Sequence, residues 1–212
     1  MFGEYELKTG FIKVWDKKVH LIEETDEIVI YHRDDVRRII KKAGKLKILP
    51  SPAVGYGVRY LMVKLNEPVA VPPKDSIAGY IEAPVEVEIR VGDLTIDHFI
   101  LGKEKYALYG TTDVGVITRY HRSKFYIVEP SSPGIAKVII DNPSKEWKMI
   151  DGIVFPIKDS VMFYTKDKAY YPLLVVTLKD SVPEVNNTGK PPKKGLTPTR
   201  EELSLPNFLM RW

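Results

Sequence analysis

Cysteine is absent from this chain. Its absence excludes thiolate nucleophiles, disulfide frameworks, zinc ribbons and iron-sulfur clusters in any compartment. Long apolar runs are missing as well. The nearest approach, residues 170–178, is interrupted by Pro172 and Thr177 and falls far short of the about 18 apolar residues of a spanning helix, so no membrane span is expected. The opening 1–13 places Glu4, Glu6, Lys8 and Lys13 among its apolar residues, which denies it the apolar core of a secretion signal. A cytoplasmic location is the expectation.

An excess of one charge is lacking too: 32 Lys and Arg against 28 Asp and Glu leave +4, a balance that disfavours nucleic acid as the default partner. Neither GxSxG, GxxxxGK[ST], GxGxxG nor HExxH occurs, so the local signatures of a serine nucleophile, a phosphate loop, a dinucleotide site and a zinc site are all missing. His20, His32, His98 and His121 stand far apart. No cofactor and no metal is expected.

What is present is a core-forming composition, 44% hydrophobic and 28% charged over 212 residues, enough for one large β-domain or two closely packed subdomains. The dominant period is two. Val85, Val87, Ile89 and Val91 alternate with Glu86, Glu88 and Arg90, a core face against a solvent face. The same reading predicts strands over 11–15, 19–23, 27–32, 58–65, 94–101, 105–109, 114–120, 125–128, 136–140, 153–157, 161–164 and 170–178. Pro, Gly, Asp and Asn clusters separate these segments. The spacing predicts a mainly antiparallel β-sandwich or partly closed barrel. One short basic helix is expected from Asp34 or Asp35 through Val36, Ile39, Ile40 and Ala43, stopped by Gly44. A second is expected to start at Thr199-Arg200-Glu201-Glu202, which fits a capping box.

Residues 1–182 read as a single β-rich domain. The stretch 183–198, rich in Pro, Gly, Asn and Lys, reads as an extended linker. The final 199–212 reads as an apolar docking arm, with Leu205, Phe208, Leu209 and Trp212 as the residues that would meet a partner or make a homodimer. Abundant Lys, Glu and β-branched residues without Cys suit a protein that works hot.

Basic and aromatic residues interleave most densely over 103–126. Lys105, Tyr109, Arg119, Tyr120, His121, Arg122 and Lys124 are the ligand-binding candidates there, because aromatic faces stack on planar groups while guanidinium and ammonium groups meet anions. The plain alternative is cross-strand packing with charges outside. Asp93 and Asp97 could pair as acid and base, but alternating charges on a strand are more simply its wet face. Gly55-Tyr56-Gly57 lacks a third glycine and reads as a turn or bulge.

The opening Phe2-Gly3-Glu4-Tyr5, the run Lys105-Tyr106-Ala107-Leu108-Tyr109-Gly110, and Gly115, Arg119-Tyr120 and Ser123 resemble a family of uncharacterised archaeal proteins over most of the chain ahead of 183–198. The resemblance implies an archaeal origin and brings no activity or functional residue with it. Three functions follow in order. The first is a non-enzymatic binding or assembly module. The second is an enzyme or sensor for an anionic or phosphorylated ligand, with His121 as proton shuttle among Arg119, Arg122 and Lys124. The third is single-stranded nucleic-acid binding through the same segment and the basic stretch of Arg33, Arg37, Arg38, Lys41, Lys42, Lys45 and Lys47.

Overall fold

The computed structural model describes residues 1–180 and 182–200, and its regular structure is entirely β. Strand β1 (Gly3–Tyr5) leads into an antiparallel meander of β2 (Gly10–Val14), β3 (Lys17–Glu23), β4 (Ile28–Arg33) and β5 (Val36–Lys41). Then come β6 (Leu46–Pro52), the long β7 (Tyr60–Val71), β8 (Asp75–Glu82), β9 (Val85–Val91) and β10 (Leu94–Ile100). The middle of the chain supplies β11 (Tyr106–Tyr109), β12 (Val116–Ser123), β13 (Gly134–Asn142) and β14 (Lys148–Pro156). Short strands follow: β15 (Phe163–Tyr164), β16 (Ala169–Tyr170), β17 (Leu174–Thr177), β18 (Glu184–Asn187) and β19 (Thr197–Pro198).

Besides the meander there are three sheets. One has the order β1-β6-β9-β10, another the order β11-β12-β7-β14. The third is built on β13, with β8 on one side and β16 and β17 in succession on the other. Pairing is mostly antiparallel, but β12 runs parallel to β7 and β13 runs parallel to both β16 and β17. Each sheet turns one side of its alternation inward, and Leu21, Tyr31, Ile48, Val87, Leu61, Phe155, Val138 and Leu174 meet in one continuous core. Each such side chain contributes roughly 1.5–3 kcal/mol on leaving water.

The short basic helix is not formed. Residues 36–41 are β5, an edge strand joined to β4 by the two-residue turn Asp34-Asp35, with Arg33 opposite Val36. Asp34 takes the turn at φ 50°, a left-handed conformation that Asp tolerates well. The spacing of Val36 and Ile40, compatible with a helix, equally serves one side of a strand, and β-branched Val and Ile favour the pleated backbone. The expected second helix lies largely outside the described residues.

Segment 125–128 is also not a strand. It crosses β8 at one point, where Tyr80 and Tyr126 exchange backbone hydrogen bonds of 2.7 and 2.9 Å. Gly79 makes the crossing feasible, since a Cβ there would lie 2.5 Å from the Phe125 ring. Pro172 separates β16 from β17 within the apolar run 170–178. Segment 183–198 follows the fold closely: β18 pairs with β17, Val185 packs on the main core, and β19 pairs with β15. Lys193 and Lys168 both hold Glu129, at 2.6 and 2.8 Å.

A buried ion pair fastens the meander to the neighbouring sheet. Arg33 on β4 donates to Asp97 on β10 through Nε at 2.6 Å and a terminal nitrogen at 3.1 Å, and Tyr31 adds its hydroxyl at 2.5 Å. Burial pushes the Asp97 carboxyl up, but the bonds from Arg33 and Tyr31 outweigh it and hold the pKa below the usual carboxylate range. No helix of the described residues is long and apolar enough to cross a membrane.

Candidate functional site

The candidate segment folds into β11 and β12, and register decides where each side chain goes. Tyr120 lies opposite Met62 and Arg122 opposite Lys64, while Arg119, His121 and Ser123 lie opposite Leu61, Val63 and Leu65. Alternation therefore sends Arg119, His121 and Ser123 toward the core side and Tyr120 and Arg122 to the open side. Tyr109, opposite Val116, also belongs to the open side, and Lys124 is exposed just beyond the strand. Lys105 is the residue before β11, and its carbonyl accepts the Tyr120 N–H at 2.8 Å.

On the core side Arg119 is 1% exposed and held by a carboxylate and a hydroxyl. Its terminal nitrogen donates to Glu104 Oε1 at 2.6 Å and to the Tyr106 hydroxyl at 3.3 Å, and that hydroxyl donates to the same carboxylate at 2.7 Å. Burial and the bond to Glu104 raise the Tyr106 pKa. The turn at Gly55-Tyr56-Gly57 closes over this group, with the Tyr56 N–H 3.3 Å from the Tyr106 hydroxyl. Gly55 sits at φ 46°, and a Cβ there would lie 2.1 Å from that hydroxyl, so only glycine allows the approach.

His121 has its pKa lowered, first by burial and then by Lys105 and Arg119, with Glu82 opposing. Ser123 Oγ accepts the Glu82 N–H at 2.8 Å and donates to the Lys124 carbonyl at 2.7 Å. These groups hold β12 against β8 and leave Ser123 no spare hydroxyl proton for chemistry.

A second polar pair escaped the sequence. Glu86 belongs to the wet side of β9 by alternation, yet it is fully buried, accepting the Gly55 N–H at 2.9 Å. Its other oxygen lies 3.2 Å from His98 Nε2, off the line of a well-directed hydrogen bond. The contact with Glu86 raises the His98 pKa against the opposing effect of burial. No local signal marks Glu86, because a turn more than thirty residues earlier covers it. Asp97 is locked by Arg33 and Asp93 is exposed in a turn, so the two carboxylates are not a working pair.

The open side has a different character. Tyr60, Met62, Tyr109, Val116, Val154, Pro156 and Val185 line a groove of about 460 Å³. Its Lys64 and Asp151 neutralise one another in an ion pair. Val116 also belongs to an adjoining depression with Tyr56, Tyr106 and Ile117. Around the free edge of β11, Tyr56 is 89% exposed, Val114 82% and Ile117 55%. Apolar surface thus continues from the groove over the sheet edge, where isolated residues would need no explanation but a contiguous patch does. Among the described residues no group of three or more His, Asp or Glu is placed to hold a metal ion.

An all-β chain with several small sheets, buried ion pairs and an apolar open face is the class this geometry defines. The chain belongs to the DUF432 family, described as proteins of unknown function, whose model matches residues 1–211. The match therefore extends through 183–198 and over nearly all of the apolar terminus. No curated protein and no solved structure matches the chain.

Proposed function

We propose that this protein is a non-enzymatic binding and assembly module, and that a second copy of the chain covers the open side of the β11-β12-β7-β14 sheet. The observation that carries this reading is the continuity of the apolar surface from the groove to the free β11 edge. Leu108 and Tyr109 on that edge are 42% and 47% exposed. An edge of this kind is a template for pairing unless charge or proline blunts it.

A groove alone could take a single peptide segment, but exposure on both sides of β11 asks for a folded partner surface. A two-fold pairing of like edges supplies one. The apolar segment 203–212, with Leu205, Phe208, Leu209 and Trp212, lies outside the described residues and is proposed to add to the same interface. Its root at Thr199 is held to Met162 and Arg200 to Asp159, close to Pro156 in the groove wall. Twelve extended residues reach about 40 Å. Ion-pair groups such as Glu4 with Lys45 and Lys47 support a protein that works hot.

Light scattering of the intact chain tests the proposal. A dimer mass is expected, falling to the monomer in Val116→Glu with a cooperative melt retained. A monomer for the intact chain even at the highest attainable concentration contradicts it.

A further inference from the structure

The meander has an open face of its own, separate from the apolar groove. Alternation turns Val19, Leu21, Val29, Tyr31 and Ile40 into the core and the intervening residues outward. In the outward set, Phe11 lies opposite His20, His20 opposite His32, and His32 opposite Arg37. Four planar side chains thus form one row across all four strands, about 14 Å long at the usual strand spacing. Phe11 is 70% exposed, and its ring stacks on His20 at 3.9 Å with 12° between the planes.

Lys13 and Lys18, themselves a cross-strand pair, flank the row on one side. Ile22, Ile30 and Ile39 flank it on the other, with Ile39 65% exposed, and Lys41 lies beyond them. No outward position of β2 to β5 is acidic. Glu23 ends β3 on the other parity, and the remaining carboxylates sit in the connecting turns, where Asp34 is already held by Lys17 at 3.0 Å and Arg33 at 2.9 Å.

We infer that the open face of the meander binds single-stranded nucleic acid: bases stack along the Phe11-His20-His32-Arg37 row while Lys13, Lys18 and Lys41 meet phosphates. The charge complementarity is one-sided, and the row offers π-faces that every base can use irrespective of sequence. Inner-face packing already holds the sheet, so the exposed Phe11 ring is not needed for the core. A duplex is a poor fit, since its bases are stacked on each other and closed to such a row. Arg37 and Lys41 share this open side, whereas Arg38, opposite Tyr31, has the other parity and Arg33 is buried with Asp97, so neither takes part.

The test is fluorescence anisotropy of the intact chain with a labelled oligouridylate dodecamer and with a duplex of equal length. Micromolar binding of the single strand is expected at low salt. Three to four phosphate contacts give a slope of log K against log salt of about −2 to −3. Phe11→Ala should weaken binding roughly tenfold. Lys18→Ala should remove roughly 0.7 from the slope. Arg122→Ala and Lys124→Ala, on another sheet, should change nothing. All these side chains are exposed, so melting temperatures serve as the folding control. The inference is overturned if the single strand fails to bind at low salt, or if duplex binds equally and Phe11→Ala has no effect. It is equally overturned if affinity is lost through Arg122 and Lys124 instead.

Discussion

The meander and the β11-β12-β7-β14 sheet are each four strands wide, each bury one side in the same core, and each leave the other side open. Their open sides differ in kind. One carries a row of planar side chains with cations and no carboxylate; the other carries Tyr60, Met62, Tyr109, Val116 and Val154 around a self-neutralised ion pair. Both inward sides pack aliphatic and aromatic residues around a buried arginine, Arg33 in one and Arg119 in the other, and what separates the open sides lies at the alternate positions facing out. The scaffold supplies the surfaces, and the outward parity of the strands decides what each could hold.

The largest expected effect tests whether the meander depends on its fastening. Asp97→Ala leaves the buried Arg33 with only the exposed Asp34 as an ionic partner and strips the Tyr31 hydroxyl of its acceptor, and should cost about 3–5 kcal/mol in denaturant unfolding. The pH dependence has a definite sign. The folded Asp97 pKa is lowered, so its contribution is fully present above the unfolded value near about 4 and is lost as pH falls through the folded value. Stability that is flat from neutrality down to strong acid would break this account of the fastening.

Glu104→Ala is the counterpart in the other sheet, removing the carboxylate from Arg119, and should cost about 1.5–3 kcal/mol by thermal or denaturant melting. A smaller effect is expected for Glu86→Gln, which removes the charge beside His98. The folded His98 pKa is raised, so the stability from this contact is present below the unfolded value near about 6.5 and fades as pH rises through the folded one. Proton NMR titration should show the His98 pKa falling in the variant, and an unchanged pKa would remove Glu86 as the cause. The smallest effect is Phe11→Ala, within about 0.5 kcal/mol of the parent. A larger loss would make Phe11 a packing residue and sharpen the contrast in the opposite direction.

Strand 85–91 was readable residue for residue, and most other β-segments were readable within two or three positions, because alternation is local. The hairpin at Asp34-Asp35 is poorly legible because Val36, Ile39 and Ile40 satisfy helical spacing as well as a strand edge, and only the weak β-branched preference favours the strand. Strands β6 and β8 were missed where Pro50, Pro52 and Gly79 interrupt the pattern. The site was less legible still. Arg119 and Tyr120 face opposite ways as neighbours on any strand do, but which of them meets the core follows only from the pairing of β12 with β7. Arg33 meets Asp97 across 64 residues, a separation that no motif of spacing records.

Hydrogen exchange on the intact chain, read by mass spectrometry over a range of protein concentrations, tests most directly whether the β11 side is an assembly surface. Amides of Tyr106–Tyr109 and of Val116–Ser123 should gain protection as concentration rises, while those of Gly10–Val14 and Lys17–Glu23 in the meander exchange at a fixed rate. Exchange of β11 and β12 that does not change with concentration would contradict the account.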